Sequence, residues 1–348
     1  MTRTRISLAV ALLAAAALLA GGLPEQEASV PATAARLTLA QAWPHAARAD
    51  LRDLGLEPLL FLDATTAAGT VDDAGHTRLL VGERELRRLP AEARFDNLTM
   101  AGEDLLWTET AEDGRTEIWT ARPRGGTAPR RLTADTGNIL LYGNQYDLVV
   151  AEGRVHWAAA DGDRSTEIRS VPLAGGAVRT TVEKGQWALS AWPWLTDDVG
   201  GQAGEIRLRN MRTGAEQRVT AGAAEWTMCS PAWCRVMVMS GEGLARIDLM
   251  RPDGSRRHRI AGPGTQAAVN DVAVLDRFEV LSEPRPDSDL TGTAGLIVHD
   301  VGAGGADAGR TVHLTVAADL AASRDGMLWW STGDREATVW HTLDLRTV

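Results

Sequence analysis

The sequence is 348 residues long, with 44% hydrophobic and 24% charged residues, 35 glycines and a formal net charge of -10. This composition is typical of a folded, turn-rich protein and excludes an intrinsically disordered chain. Acidic side chains are spread along the sequence and no block is rich in Lys or Arg. We therefore expect no binding to nucleic acid or to an anionic lipid surface.

The first residues have the pattern of an export signal. Two arginines in Met1–Arg5 precede an apolar run from Ile6 to Ala20, which is shorter than the ~20 residues that a transmembrane helix needs. Residues 1–22 are predicted to be a cleaved signal peptide or, as the alternative, an N-terminal membrane anchor. Residues 23–35 are predicted to be a linker. The protein is expected to be secreted or extracytoplasmic, with membrane contact only through this segment.

The stretch Leu105–Thr133 is the best-defined unit in the rest of the sequence. Two short apolar runs, at 105–108 and 118–121, flank a turn that contains Asp113-Gly114, and this pattern predicts a β-hairpin. A Gly-Gly turn then leads to a third extended piece, Arg130–Thr133. The unit is a short antiparallel meander that cannot bury both of its faces alone.

Looser copies of this unit recur from about Arg36 with a period of roughly 40 to 50 residues, which is the spacing of propeller blades. The first copy contains the hairpin Pro58–Gly82, and the last ends at Val348. The repeats predict a single all-β domain over residues 36–348, a β-propeller with seven blades. Six blades are the alternative, if one weak hairpin belongs to a composite blade.

The ring is predicted to be closed by an N-terminal strand. The seventh copy has no outer strand, whereas Arg36–Leu39 (RLTL) precedes the first copy and resembles Arg130–Thr133 (RRLT). Pairing the two chain ends removes the open sheet edges that would otherwise favour aggregation. We therefore expect Arg36–Leu39 to complete the seventh blade.

The two cysteines are close together in the sequence. Cys229 and Cys234 lie in the segment WTMCSPAWC, and in an oxidising compartment such a pair is expected to form a disulfide. A metal site would need further Cys or His ligands, and His258 is the only candidate in the surrounding blade. The pair is predicted to hold a turn.

No strong catalytic motif is found in the sequence. The nucleophile elbow, the H-E-x-x-H pattern and the phosphate-binding glycine loops are all absent. The seven histidines fall in different predicted blades, and the recurring Asp-Gly pairs fit structural turns better than calcium ligands. We therefore expect no catalytic residue, no metal and no cofactor, and the protein is predicted not to be an enzyme.

Tryptophan is the most informative residue type, with 12 Trp against 3 Phe and 2 Tyr. The tryptophans in apolar strands, such as Trp107 and Trp157, are expected to pack between blades. Five others crowd into fewer than fifty residues and could form an exposed surface that binds a ligand or a partner; they are Trp187, Trp192, Trp194, Trp226 and Trp233. The alternative is that these five pack a variant blade around the disulfide.

The pieces LLWTE, TEIWTARPRGG and APRRLT resemble the blades of TolB-like propellers, in particular the secreted TolB-like proteins of high-GC Gram-positive (actinobacterial) species. The resemblance covers about Arg36 to Val348. It implies a non-catalytic, monomeric propeller in the cell envelope that binds other proteins, and it transfers no catalytic residue to this sequence.

Two functions follow as hypotheses. The first is an exported propeller that binds an envelope or extracellular protein, or another envelope ligand, through one face of the ring. The alternative is a carbohydrate-active enzyme that uses paired carboxylates on the channel face and the Trp187–Trp233 region as a sugar platform.

Overall fold

The computed structural model describes residues 36–198, 204–302, 309–334 and 337–348. Leu37–Val348 form one compact unit. The predicted signal peptide or anchor (1–22) and the predicted linker (23–35) lie outside the described residues.

The described residues form seven β-sheets, one for each blade of a β-propeller. In blades one to five the chain runs outward as an antiparallel meander, so the first strand is innermost and the last is at the rim. Blades six and seven have the same meander, but their outermost strand comes from the N-terminal part of the chain. The predicted all-β class, the seven blades and the closure by an N-terminal strand are confirmed.

Blades one and two each contain four strands, numbered here along the whole chain. The strands are β3 (Glu57–Phe61), β4 (Ala67–Asp73), β5 (His76–Val81) and β6 (Arg84–Pro90) in blade one, and β7 (Arg94–Ala101), β8 (Asp104–Thr110), β9 (Thr116–Ala121) and β10 (Arg130–Thr133) in blade two.

Blades three to five follow in the same order. The strands are β11 (Asn138–Ile139), β12 (Val149–Ala151), β13 (Arg154–Asp161), β14 (Ser165–Pro172) and β15 (Arg179–Lys184) in blade three; β16 (Ala188–Leu189), β17 (Trp194–Thr196), β18 (Glu205–Asn210) and β19 (Glu216–Thr220) in blade four; and β20 (Glu225–Cys229), β21 (Cys234–Ser240), β22 (Gly243–Met250) and β23 (His258–Ala261) in blade five. In blade three the two short strands β11 and β12 both pair with the first long strand, β13.

Blades six and seven each take one strand from the N-terminal part of the chain. The strands are β24 (Gln266–Ala267), β25 (Phe278–Glu283), β26 (Ala294–Asp300), β27 (Arg310–Ala318) and β1 (Leu37–Thr38) in blade six, and β28 (Ala321–Arg324), β29 (Met327–Thr332), β30 (Val339–Asp344) and β2 (Arg48–Arg52) in blade seven.

Helices are short in the described part of the chain. They are α1 (Leu39–Ala42), α2 (Val274–Arg277), α3 (Ser288–Thr291) and a single 3-10 turn (Leu345–Thr347). Of these described helices, none has the length and apolar character needed to cross a bilayer.

The strand that closes the ring differs from the predicted one. Arg36–Leu39 does not complete blade seven: Leu37 and Thr38 pair in parallel with β27 of blade six. Closure comes from β2, which pairs antiparallel with β30 over five residues, from Arg48–Leu343 to Arg52–Val339. The first strand stops after two residues because Thr38 caps α1, accepting a hydrogen bond from the Gln41 backbone in a capping box.

Several innermost strands were also missed in the sequence, although most of β3 lies within the predicted hairpin Pro58–Gly82. The unit Leu105–Thr133 contains the second, third and fourth strands of blade two, and its first strand is Arg94–Ala101. In blades three, four and six the innermost strand β11, β16 or β24 has only two residues. Two residues are too few to show the period of two by which a strand is recognised.

The core consists of apolar clusters between neighbouring blades. Trp107 lies on β8 and Trp157 on β13, and neither side chain has exposed surface. Each indole nitrogen is satisfied within the core: Trp107 donates to Glu109 Oε1 at 3.0 Å, and Trp157 donates to the Thr136 carbonyl at 2.8 Å. These tryptophans therefore pack between blades as the sequence predicts.

The predicted disulfide is confirmed. Cys229 ends β20 and Cys234 begins β21, and the two Cα atoms are 4.1 Å apart across the register pair of the hairpin. Between them Ser230 shapes the turn, since its Oγ accepts from the backbone nitrogens of Ala232 and Trp233 at 3.3 and 3.1 Å.

Replacing both cysteines with alanine should lower the free energy of unfolding by about 2 kcal/mol, because the cross-link restricts the unfolded chain over a short loop. Equilibrium urea unfolding of the double variant measures this loss. Wild-type protein unfolded in excess reductant is the control and should lose a similar amount. An unchanged urea midpoint would mean that the strand pairing alone fixes the turn.

Candidate functional site

A cavity of about 210 Å³ lies where the innermost strands of blades three to six end. It is named the Asp271 cavity below. Its wall combines hydroxyl, amide and carboxyl groups with apolar side chains, and the lining residues are Tyr142, Asn144, Tyr146, Ala188, Leu189, Ser190, Thr196, Asp198, Met228, Cys229, Ser230, Asn270, Asp271 and Val272.

The loop between β11 and β12 supplies the wall from blade three. Asp147 holds this loop from inside: its carboxylate accepts from the backbone nitrogens of Tyr142 at 2.9 Å and Gly143 at 2.7 Å. Burial raises the pKa of the Asp147 carboxyl in spite of these hydrogen bonds. The hydrogen bonds fix the turn at Gly143, where φ is +72°, and so position Tyr142 and Tyr146 on the cavity wall.

Blades four and five meet at the disulfide. The backbone nitrogen of Cys229 donates to Asp198 Oδ2 at 3.2 Å, which links the blade-four carboxylate to the innermost strand of blade five. The backbone nitrogen of Asp198 in turn donates to Thr196 Oγ1 at 3.1 Å. This side of the cavity is therefore held by the disulfide and by hydrogen bonds to Asp198 and Thr196.

Asp271 comes from the loop between β24 and β25 and is the most unusual group in the wall. Its side chain is buried, and its Oδ1 has no hydrogen-bond partner in the described residues. Burial raises the pKa of the Asp271 carboxyl to about 6, although the charges of Arg324 and Arg235 and hydrogen bonding by Gln145 lower it. An unpartnered buried acceptor beside a cavity is a position at which a ligand can supply the missing donor.

A buried ion pair holds the Asp271 loop from beneath. Arg235 and Glu279 have almost no exposed surface and form a direct salt bridge through Arg235 Nε. Arg235 Nη2 donates to the carbonyls of Val269 at 3.2 Å and Asp271 at 2.7 Å, and Glu279 Oε2 accepts from the Ala273 nitrogen at 2.7 Å. The pair thus fixes the backbone on both sides of Asp271.

A second arginine lies among the carboxyls at this end of the ring. Arg324, the last residue of β28, donates to the Asn144 carbonyl at 3.0 Å, while its Nη1 finds no acceptor among the described residues. Its charge lowers the pKa values of Asp147, Asp271 and Asp325, but burial raises all three by more. One guanidinium therefore serves three buried carboxyls.

Two of the five predicted ligand-binding tryptophans are buried. Trp187 donates from its indole nitrogen to the Lys184 carbonyl at 2.8 Å. Trp233 donates to the Asp276 carbonyl at 3.0 Å, and the Arg251 guanidinium lies 3.8 Å from its ring centre. Both rings have the contacts of packed side chains.

The other three tryptophans differ from one another. Trp192 is partly buried and stacks on His156, with ring centres 3.9 Å apart. Trp194 packs partly against the core between blades four and five, and Trp226 on β20 is 50% exposed. None of the five is among the described residues that line the Asp271 cavity. Their role in ligand binding stays a prediction, with Trp226 as the exposed member.

Sequence reasoning missed Asp271 and its supports. Asn270-Asp271 follows a two-residue strand, Glu279 lies on the next strand, and Arg235 and Arg324 come from other blades far away in the sequence. No fixed spacing joins these residues, because each comes from a different turn or strand. Among the described residues there is no group of three or more His, Cys, Asp or Glu side chains placed to hold a metal ion.

Comparisons with known proteins support the fold only. No protein-family model and no curated protein matches the sequence. Among solved structures, the β-propeller domain of the Trilobed protease from Pyrococcus furiosus is similar at a TM-score of 0.46 and 10% identity, over 72% of this chain and 82% of that one. An oligogalacturonate lyase in complex with manganese has a TM-score of 0.45 and 13% identity, over 79% and 81% of the two chains. TolB from Acinetobacter baumannii has a TM-score of 0.39 and 11% identity, over 77% and 66%.

These comparisons correct the prediction that the protein is not an enzyme. The similar propellers include a lyase and the domain of a protease, so missing sequence motifs do not exclude catalysis on this fold. A sequence motif requires a fixed spacing between its residues, and residues brought together from different blades have none. The chain has a β-propeller fold by its own strand topology, and its activity has to be argued from its own site.

Proposed function

We propose that this protein binds a small polar ligand in the Asp271 cavity, at the end of the ring where the innermost strands end. The main support is the buried carboxylate oxygen Asp271 Oδ1, which lines the cavity and has no partner in the described residues. Leaving a buried acceptor unsatisfied costs about 1–3 kcal/mol, and the cost is higher when the group is charged. A ligand that donates a hydrogen bond to Asp271 Oδ1 would recover this free energy.

The shape and chemistry of the wall suit a ligand of modest size. The volume of about 210 Å³ is below the range of about 300–1,000 Å³ typical of drug-sized ligands, so the ligand should be of monosaccharide or amino-acid size. Hydroxyl groups of Ser190, Thr196 and Ser230 and the amides of Asn144 and Asn270 provide orienting hydrogen bonds.

A second, wider cavity of about 1400 Å³ lies at the opposite end of blades one to three. It is a weaker candidate for ligand binding than the Asp271 cavity. Both ends of two ion pairs lie in its wall: Arg87 pairs with Glu109 at 2.9 Å, and Arg115 pairs with Asp113 at 2.6 Å. No comparable unsatisfied group is found among the described residues of its lining.

A carbohydrate-active enzyme is the second candidate. The observation in its favour is that Asp198 and Asp271, from blades four and six, line the same cavity. Glycoside chemistry requires two carboxyl groups of different pKa, and burial raises the pKa of Asp271 to about 6. Release of reducing sugar from oligosaccharides by the wild-type protein, and its loss in Asp271→Asn, would support this function.

Location and partners are part of the proposal. The disulfide favours an oxidising compartment, and the export signal predicted at residues 1–22 agrees with it. We therefore propose a secreted or extracytoplasmic protein, in line with the resemblance to secreted TolB-like proteins. Binding of an envelope protein through one face of the ring is an additional prediction, for which the exposed Trp226 offers a contact residue.

A thermal-unfolding screen against monosaccharides, amino sugars, amino acids and small amines tests the proposal. A bound compound at about a hundred times its Kd stabilises the native protein by about 2.7 kcal/mol. The variant Asn270→Trp should abolish the shift, because Asn270 is an exposed residue at the rim and the indole would fill the entrance. Gln266→Trp, an exposed position on β24 outside the cavity, is the matched control and should bind normally.

The proposal would be abandoned if no compound in the screen stabilised the protein. It would also fail if Asn270→Trp bound the compound as tightly as Gln266→Trp, because the ligand would then lie elsewhere.

A further inference from the structure

From the charges around the Asp271 cavity we infer that its ligand carries a protonated amine, whose ammonium group donates a hydrogen bond to Asp271 Oδ1. This inference rests on the proposed function, since it specifies the chemistry of the ligand that the cavity binds. It is supported by the charge of the wall, by the other groups with which the nearby arginines interact and by the aromatic side chains.

The charged side chains of the wall are all acidic. Asp198 and Asp271 line the cavity, and none of its described lining residues is Lys, Arg or His. An anionic ligand would therefore meet like charges without a cationic side chain among the described lining residues, and a neutral ligand would leave the negative charge uncompensated. A cation removes both penalties.

The nearest arginines do not neutralise this charge. Arg235 is committed to Glu279, with which it forms a buried pair, and its other donors bond to backbone carbonyls. Arg324 donates to a carbonyl and is shared among Asp147, Asp271 and Asp325. Asp271 therefore shares the charge of Arg324 with two other buried carboxyls.

The ionisation of Asp271 agrees with an ammonium partner. Burial raises the pKa of this carboxyl to about 6. At pH 7 and above Asp271 is therefore mostly ionised, and its Oδ1 has no hydrogen-bond partner in the described residues. An ammonium group has three donors and can satisfy Oδ1 while also bonding to a hydroxyl or amide oxygen of the wall. The rings of Tyr142 and Tyr146 add side chains whose faces attract cations.

The test compares ligands of one shape and different charge. D-glucosamine, D-glucose and D-glucuronate present an ammonium, a hydroxyl and a carboxylate on closely similar rings, and ethanolamine, ethylene glycol and glycolate form a smaller series. Titration calorimetry at pH 7, where Asp271 is mostly ionised and the amines are mostly protonated, should give at least about ten-fold tighter binding for the amine than for the other members of the series that fits the cavity.

The variant Asp271→Asn removes the charge and keeps the size of the side chain. It should weaken binding of the amine about ten- to a hundred-fold and change binding of the neutral analogue by only a few-fold. Asp276→Asn is the matched control: Asp276 is on the same loop, has positive φ that asparagine tolerates, and does not line the cavity. It should bind the amine like the wild type.

The outcomes separate this inference from the proposed function. Equal or tighter binding of the neutral or acidic compounds would overturn the inference and leave a ligand-binding cavity in place. Equal loss of amine binding in Asp271→Asn and Asp276→Asn would also overturn it, since the effect would then be one of general surface charge. If no member of either series and no compound in the wider screen binds, both the inference and the proposed function fail.

Discussion

Replacing Glu279 with glutamine should lower the free energy of unfolding by about 3–5 kcal/mol, the largest loss that we expect from a single isosteric substitution in this protein. The side chains of Glu279 and Arg235 are 0% and 1% exposed. The substitution keeps the shape of residue 279 but leaves the Arg235 guanidinium buried without a countercharge. Equilibrium unfolding in guanidinium chloride measures the loss.

The matched control is Glu205→Gln at the surface. Glu205 pairs with Arg218 at 3.3 Å, and the two side chains are 46% and 63% exposed, so solvent screens the pair and its loss should change stability by less than about 1 kcal/mol. If Glu279→Gln were as mild as Glu205→Gln, the buried pair would not be what holds the Asp271 loop.

Asp271→Asn should make the protein more stable at pH 8, by about 3 kcal/mol, and this gain should vanish towards pH 4. The Asp271 carboxyl has a pKa of about 6 in the folded protein against 3.8 as its ordinary value, and each pKa unit corresponds to about 1.4 kcal/mol. The folded state thus binds the proton more tightly than the unfolded state, so wild-type stability falls as the pH rises from about 4 to about 6 and stays low above it. Asparagine is uncharged throughout and avoids this loss.

Urea unfolding of wild type and variant at several pH values between 4 and 8 measures the difference. Asp276→Asn is the control, and its effect should be smaller because the Asp276 side chain is exposed. A constant difference between Asp271→Asn and wild type across this pH range would contradict the assignment of a raised pKa to Asp271.

The two predictions together describe how the site is built. Arg235 and Glu279 fix the backbone around Asp271, and the carboxyl held there lowers the stability of the protein when it is ionised. Groups that reduce stability and yet are held rigidly are typical of binding and catalytic sites, where the cost is recovered on ligand binding. Asp271 is therefore the first residue to substitute in tests of ligand binding or catalysis.

The sequence alone determined the repeat and therefore most of the fold. The long central strands of most blades, such as β8 and β9, have enough residues to show apolar runs, and the turn between β8 and β9 contains Asp and Gly. The disulfide could also be predicted, because Cys229 and Cys234 lie close together in the sequence and need only one hairpin to meet.

Only the tertiary structure decided which N-terminal segment closes the ring and where the site lies. Arg36–Leu39 resembles a closing strand locally, yet β2 takes that place because Thr38 starts a helical turn and the chain then reaches β30. Asp271 likewise follows a strand of two residues, and its burial, raised pKa and missing partner arise from Arg235, Arg324 and the loops of other blades. Local pattern specifies strands that repeat, whereas a site assembled from several blades exists only after the ring has closed.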